Sequence, residues 1–388
     1  MRYFTFICLS FLVIATFAQK IPDVYTNLKT TDSFSYFQYG GSIYSQIQRG
    51  KGYSLKQMVN APSGTENGFS FDFKDSTFSG KICYGFINIK KEEYPIPVYF
   101  KLSAIIRKGR AEIDILSLKN KYDMVNWEKS KHGLVAYRVL SRKGALLYDG
   151  RIGFEYDKEF EVKPTIIEGP TLHRLTSNST VVRIVLNKPA KTALRINNKI
   201  IASSEKLVHE IVVENLGPNT TYLYEFEEIQ SRVFSLKTSP DRGSESPFTF
   251  SYASDSRSGQ GGGERDLYGA NAYVMNRIMA FNKLRNVAFM QFTGDMINGY
   301  LTNREEMDLQ YANWKRSLEP FSHYKPVYIG MGNHEALVNT YKSGKKWVSV
   351  DKFPFETESS EKAFADNFCN PISELKSEDG NKYDPNPE

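Results

Sequence analysis

Hydrophobic and polar positions change their period along the chain, and the changes divide it. From about Lys20 to Glu161 apolar residues alternate with polar ones, as half-buried strands require, and show no helical recurrence. In FSFDFKD (69–75), Phe69, Phe71 and Phe73 form one apolar face, read as buried core and not as a ligand platform. VYFKLSAIIRKGRAEIDIL (98–116) reads as two strands joined at Lys108-Gly109-Arg110, a hairpin signal. Residues 19–162 are therefore expected to form an all-β N-terminal domain whose function is not legible.

After Pro164 short strands follow at even spacing: STVVRIVL (179–186), TALRI (192–196), KLVHEIVV (206–213), TYLYEF (221–226) and RVFSLKT (232–238). Turns between short strands predict a β-sandwich over 163–240. His209 falls within a strand and reads as a surface or core residue; His173, in the entry loop, is left open. TSPDRGSESP (238–247) is a linker by composition. The period then changes again. The strand FTFSYAS (248–254) leads to a loop (255–266), then to a helical stripe of Leu267, Ala270, Val274, Ile278 and Phe281. The strand VAFMQFT (287–293), a helix around Glu305–Leu318 and the strand PVYIGM (326–331) complete the pattern. Such an alternation predicts α/β layers over 245–388, with ligands outside the carboxyl ends of the strands.

The first twenty residues add a location. Arg2, an apolar run over Phe4–Phe17 and the small residues Thr16 and Ala18 read as a signal peptide over 1–18, cut before Gln19. The run is shorter than the ~20 residues of a membrane span, so the expectation is a secreted or periplasmic protein without a transmembrane segment. Cys8 would leave with the leader. Cys83 and Cys369 remain, with nothing to bring them together, so a disulfide scaffold is not expected. Apolar residues at 40% and charged residues at 24% are ordinary for globular chains, and 388 residues suit two to three domains. A net charge of +6 without a dense Lys/Arg run indicates no nucleic-acid surface.

Each strand of the last region stops at a polar cluster: Asp255-Ser256-Arg257, Gly294-Asp295-Met296-Ile297-Asn298 and Gly332-Asn333-His334-Glu335. Parallel strands would gather these clusters on one rim, where two carboxylates, an amide oxygen and an imidazole begin a metal site. Asp295 suits a bridge between two ions, Asp255 a ligand to one and Asn333 a neutral oxygen for the other. Gly294 and Gly332 fall where the backbone must turn tightly beside them. His334 is placed to donate a proton to a leaving oxygen, with Glu335 behind it to set its tautomer. Ser256 lacks a Gly-x-Ser-x-Gly elbow, and the glycine run 259–263 lacks the Lys-Ser/Thr of a P-loop.

SDSR, GDMIN and GNHE, in this order and spacing, resemble the first three blocks of the calcineurin-like metallophosphoesterase superfamily. Leu216, Pro218 and Tyr222 in LGPNTTYLYEF (216–226) fall where fibronectin type III-like modules put a turn and a corner tyrosine. Together these regions most resemble purple acid phosphatase-type proteins. The resemblance implies an αββα-type layered domain, two divalent or trivalent metal ions (Mn, Fe or Zn) and a phosphoester substrate, a monoester or a diester, cleaved by metal-activated water. It covers roughly 164–388. Arg257 stands where many members have a histidine, and it cannot ligate a cation; its fork suits either the substrate phosphate or a supporting salt bridge. Asn298 stands where purple acid phosphatases have a tyrosine.

The family completes its site with later histidines, whereas His334 is the last of the five here. The expectation is thus a C-terminally incomplete, weakly active phosphoesterase domain. The rival expectation is a non-catalytic binding or adhesion protein carrying a degenerate copy. Because Asn298 replaces the tyrosine whose tyrosinate colours the purple enzymes, iron-loaded protein is expected to be colourless at visible wavelengths; an absorption spectrum with a purple charge-transfer band would contradict this.

Overall fold

The computed structural model describes residues 29–30, 35–39, 41–45, 52–89, 97–119, 125–258, 266–343, 346–351 and 359–369. These residues are mostly β-sheet with few helices. The expected leader lies outside them, as do residues 259–265 with the glycine run.

Phe69, Phe71 and Phe73 are buried together, against Phe154, Phe160, Tyr137 and Phe78. The turn at Lys108-Gly109-Arg110 forms, with Gly109 at φ +74° and Arg107 and Arg110 exchanging backbone hydrogen bonds of 2.9 and 3.0 Å. The expected hairpin does not continue from it. Val98–Ile106 pairs with Gly80–Phe86 in a five-stranded sheet that continues through His132–Ser141, Leu146–Tyr156 and Phe160–Lys163. Arg110–Asp114 instead pairs with Gly68–Asp72 in a three-stranded sheet. Alternation marks each strand's apolar face but not its neighbour, so a corner between two sheets reads like a hairpin.

The strands expected at 179–186 and 192–196 are one strand, Thr180–Ile196. Its first part pairs with Ile166–His173 and its last part with Thr221–Glu227, while Lys199–Val213 follows both. Register shifts on both sides of Ala190 mark the bend, as bulges do. The bent sheet encloses Val182, Ile184, Leu194, Ile196, Tyr224 and Leu236. The Gly217 N–H donates to the Tyr222 hydroxyl at 2.7 Å, the contact of a tyrosine corner. His173 ends the strand Ile166–His173 instead of sitting in a loop. His209 is buried, with Nδ1 2.8 Å from the Ser203 hydroxyl and Nε2 3.0 Å from the Lys206 carbonyl.

Phe250–Ala253, Phe289–Phe292 and Val327–Ile329 form a parallel sheet in that order. Met290 and Phe292 pack with the helices Ala272–Leu284 and Arg304–Ser322 through Met275, Met279, Trp314 and Leu318. The helical stripe read from the sequence is out of phase. Val274 and Phe281 are 42% and 55% exposed, and the buried face is Met275, Met279 and Asn282. Leu267 and Ala270 are buried but precede the helix, which Asn271 caps by accepting the Val274 N–H, so their phase does not carry into it. Phe248, Phe250 and Tyr252 are exposed on the first strand, with Phe250 stacked on Phe289 at 5.3 Å.

The long helix Arg304–Ser322 joins the pieces. Asn303 caps it by accepting the Glu306 N–H at 3.0 Å, and Glu305 and Glu306 sit in its first turn, where the helix dipole favours acidic groups. Leu309 enters the core of the first region, and the Asn313 amide donates to the Leu147 carbonyl at 2.9 Å. Arg316 donates to the carbonyls of Asp149 (3.2 Å) and Ile167 (2.6 Å). Glu319 pairs with Arg151 and Arg316, and Lys315 with Glu168. His323 is buried at the end of this helix, its Nδ1–H donating to the Pro170 carbonyl at 2.8 Å.

These buried groups make stability depend on pH. Burial lowers His173 to about 3 and His323 to about 4, from an ordinary 6.5. Burial alone would raise the Glu319 carboxyl, but Arg151 and Arg316 bring it down to about 2. Below pH 6.5 the unfolded chain therefore binds protons that the folded chain refuses, and stability falls as pH falls toward 3. Urea midpoints should decline steadily from pH 7 to 4, and His173→Asn with His323→Asn should flatten that decline; an unchanged slope in the double variant would refute the assignment.

Candidate active site

The rim begins where the three parallel strands end. Their register places Ala253 beside Phe292 and Phe292 beside Ile329, so the segments that follow leave from one edge. The loops then interlock through backbone: the Asp255 N–H donates to the Gly294 carbonyl, and the Arg257 N–H to the Asp295 carbonyl, both at 3.1 Å. A Cβ on Gly332 would lie 2.4 Å from the Asp295 nitrogen, and one on Gly294 would lie 2.4 Å from the Gly332 nitrogen. Only glycine permits that approach. Asp255 and Asp295 hold left-handed backbone, at φ 58° and 55°, which costs most side chains energy and which aspartate tolerates better than most.

Glu335 ties the second loop to the third. It is fully buried, and its carboxylate accepts the N–H groups of Asp295 (2.8 Å), Gly332 (2.9 Å) and Ile297 (3.1 Å). Burial raises its carboxyl above the ordinary range against the pull of those three N–H groups. The part expected of Glu335, setting the tautomer of His334, falls to Asn298. The Asn298 carbonyl lies 2.7 Å from His334 Nδ1 and can only accept, so Nδ1 carries the proton and Nε2 points elsewhere, 3.8 Å from Asp295 Oδ2. The Asn298 side chain accepts the Ser258 N–H at 3.0 Å, so one residue orients the imidazole and holds the first loop.

Tyr300 belongs to the site and was not singled out by the sequence reading. Its ring centroid is 4.3 Å from that of His334, its N–H donates to the His334 carbonyl at 2.8 Å, and its hydroxyl accepts from the Asn333 amide. The signal available was its position at the end of GDMINGY. Ser256 is structural: its hydroxyl is buried, accepting from Trp314 Nε1 at 2.7 Å and donating to the Met296 carbonyl at 3.3 Å.

Arg257 adopts the salt bridge. Its Nη1 lies 2.6 Å from Asp295 Oδ2 and 3.3 Å from Asp255 Oδ1. Asp295 is the more sheltered partner, with its side chain 13% exposed against 63% for Asp255. That guanidinium is a stand-in cation, and it marks the point on which both carboxylates converge. The two carboxylate oxygens that converge there are hard donors of the kind a divalent ion takes, and the Asn333 amide nitrogen is engaged by Tyr300. Among the described residues no group of three or more His, Cys, Asp or Glu side chains could hold a metal.

No family model matches the sequence, and no curated protein does. Among solved structures the chain is similar to PhoD, at 15% identity and a TM-score of 0.31 over 45% of this chain and 41% of that one. It is also similar to a purple acid phosphatase from yellow lupin (Lupinus luteus) seeds, at 14% identity and a TM-score of 0.36 over 69% of this chain and 54% of that one. A third likeness is to the central fibronectin-III array of RIM-binding protein, at 11% identity and a TM-score of 0.21 over 48% and 66%. The chain thus spans about half the length of the first two of these structures.

Glu335→Gln keeps the shape but leaves one acceptor oxygen where two now serve three N–H groups. It should lower unfolding stability by about 1–3 kcal/mol, the cost of stranding a buried donor. Chemical denaturation checks this, and an unaffected midpoint would mean that the loops hold together without the carboxylate.

Proposed function

We propose that this chain is an exported phosphoester hydrolase of the calcineurin-like metallophosphoesterase type, with its chemistry in 245–388 and β-domains over 19–162 and 163–240. One observation carries the reading: Asp255, Asp295, His334 and Arg257 meet at the carboxyl rim of a parallel sheet, with Asn333 next to His334 in the same segment and Glu335 bonded to the backbone of two of its loops. The leader-like residues 1–18 support export to a secreted or periplasmic location, and no helix among the described residues is long and apolar enough to cross a membrane.

Asp255, Asp295 and Asn333 would hold a divalent ion, Mn, Fe or Zn. When bound, such an ion supplies an activated water and polarises the phosphoryl oxygen. A two-ion site calls for imidazole donors beyond those described. The chain's own residues do the rest. His334, its Nδ1 proton committed to the Asn298 carbonyl, keeps Nε2 for the substrate; in its doubly protonated form it gives the Nε2 proton to the leaving oxygen and ends as the neutral Nδ1–H tautomer. The Tyr300 ring braces the imidazole against rotation. The Arg257 fork, once free of the aspartates, matches two phosphoryl oxygens.

The second reading is a non-catalytic binding or adhesion protein, and the double ion pair of Arg257 favours it, since a cation already neutralises the carboxylates. Hydrolysis of p-nitrophenyl phosphate and of bis(p-nitrophenyl) phosphate by the full chain, with and without Mn²⁺ or Zn²⁺, separates the two. Slow, ion-dependent release is expected, abolished in Asp295→Asn and reduced about 100-fold or more in His334→Asn. Release no faster than with ions alone would remove the hydrolase reading and leave the binding one.

A further inference from the structure

We infer that Arg257 is a resident countercation that excludes metal from the rim until phosphate draws it away. The inference rests on reading the rim as a phosphoester site and concerns what controls its loading. Each aspartate has one oxygen held by its own surroundings: Asp295 Oδ1 accepts the His334 N–H at 3.3 Å, and Asp255 Oδ2 accepts the Ser254 hydroxyl at 2.6 Å. The other two oxygens, Asp295 Oδ2 and Asp255 Oδ1, are the pair that Arg257 Nη1 occupies. An incoming ion needs those same two oxygens, so guanidinium and metal exclude one another.

The exchange is feasible because Arg257 is 41% exposed and belongs to the loop of Asp255, so the head can leave without unfolding a core. It is costly because Asp295 is sheltered, where a charged hydrogen bond is worth more than at an open surface. A guanidinium released beside a bound cation regains a partner only if an anion is present, and a phosphoryl group offers its fork two oxygens. Ion and phosphate should therefore bind with positive, reciprocal coupling. Arg257 makes loading of the site depend on its substrate class.

Calorimetric titration of Mn²⁺ into the full chain, Arg257→Gln and Arg257→Lys, each with and without inorganic phosphate, tests this; melting curves verify that all three fold. Arg257→Gln should bind Mn²⁺ about tenfold more tightly or better, from loss of a competing charged hydrogen bond. Phosphate should tighten Mn²⁺ binding in the parent and much less in Arg257→Gln. Arg257→Lys, with a charge but no fork, should fall between the two in affinity and lose most of the phosphate effect. Equal or weaker Mn²⁺ binding by Arg257→Gln would overturn the inference while leaving the rim an ion site. No binding by any of the three at millimolar Mn²⁺ would overturn both.

Discussion

Lys315, Arg316 and Glu319 lie on a helix whose flanks are taken up by other parts of the chain, and their pairing is the condition for everything around them. Moving one unpaired charge into such an interior costs on the order of several kcal/mol. Arg151 reaches Glu319 from the first region and Glu168 reaches Lys315 from the bent sheet, while Arg316 returns to carbonyls on both. No one of these groups would be stable there without partners from the other regions. The helix therefore forms its buried surface only as those regions dock, and the parallel sheet it covers inherits its position from them. The acid sensitivity of His173, His323 and Glu319 belongs to the same junction.

The rim obeys a second constraint, close contact between backbones. Gly294 and Gly332 bring two loops together where any side chain would collide, and Glu335 converts the stranded N–H groups of that contact into a buried carboxylate site. Two further carboxylates, Asp255 and Asp295, then face one point. Some cation has to answer them, and in this structure it is Arg257. The charge balance that holds the loops in shape is thus the same balance that a metal would have to displace, which links the architecture of the rim to its loading.

How far the site was legible in the sequence differs from residue to residue. Asp255, Asp295, Asn333 and His334 end predictable strands, and parallel pairing brings strand ends together whatever lies between them. Glu335 could be placed near His334 by adjacency, but its hydrogen bonds go to Asp295, Gly332 and Ile297, and the imidazole is oriented by the main chain of Asn298, which no side-chain pattern reveals. Tyr300 escaped notice because its role comes from stacking on His334, which lies on a different loop, a helix and a strand further along the chain. Arg257 was seen as an anomaly, but two partners were open to it and only distances could choose.

The fold divides in the same way. Period alone determined that Phe69, Phe71 and Phe73 share a face, that strands precede Pro240 and that strand and helix alternate after it, because alternation and helical recurrence are local properties of the chain. Partnership was left to the tertiary structure. It sent Val98–Ile106 and Arg110–Asp114 to different sheets, fused two expected strands at a bulge, and turned the helix Ala272–Leu284 onto Met275 and Met279 in place of Val274 and Phe281. It also buried His323 and a run of charges along Arg304–Ser322 that a sequence reading leaves in solvent. A residue's preference for strand, helix or turn is written in its neighbours along the chain, whereas a buried charge or a chosen strand partner depends on groups brought near only by folding.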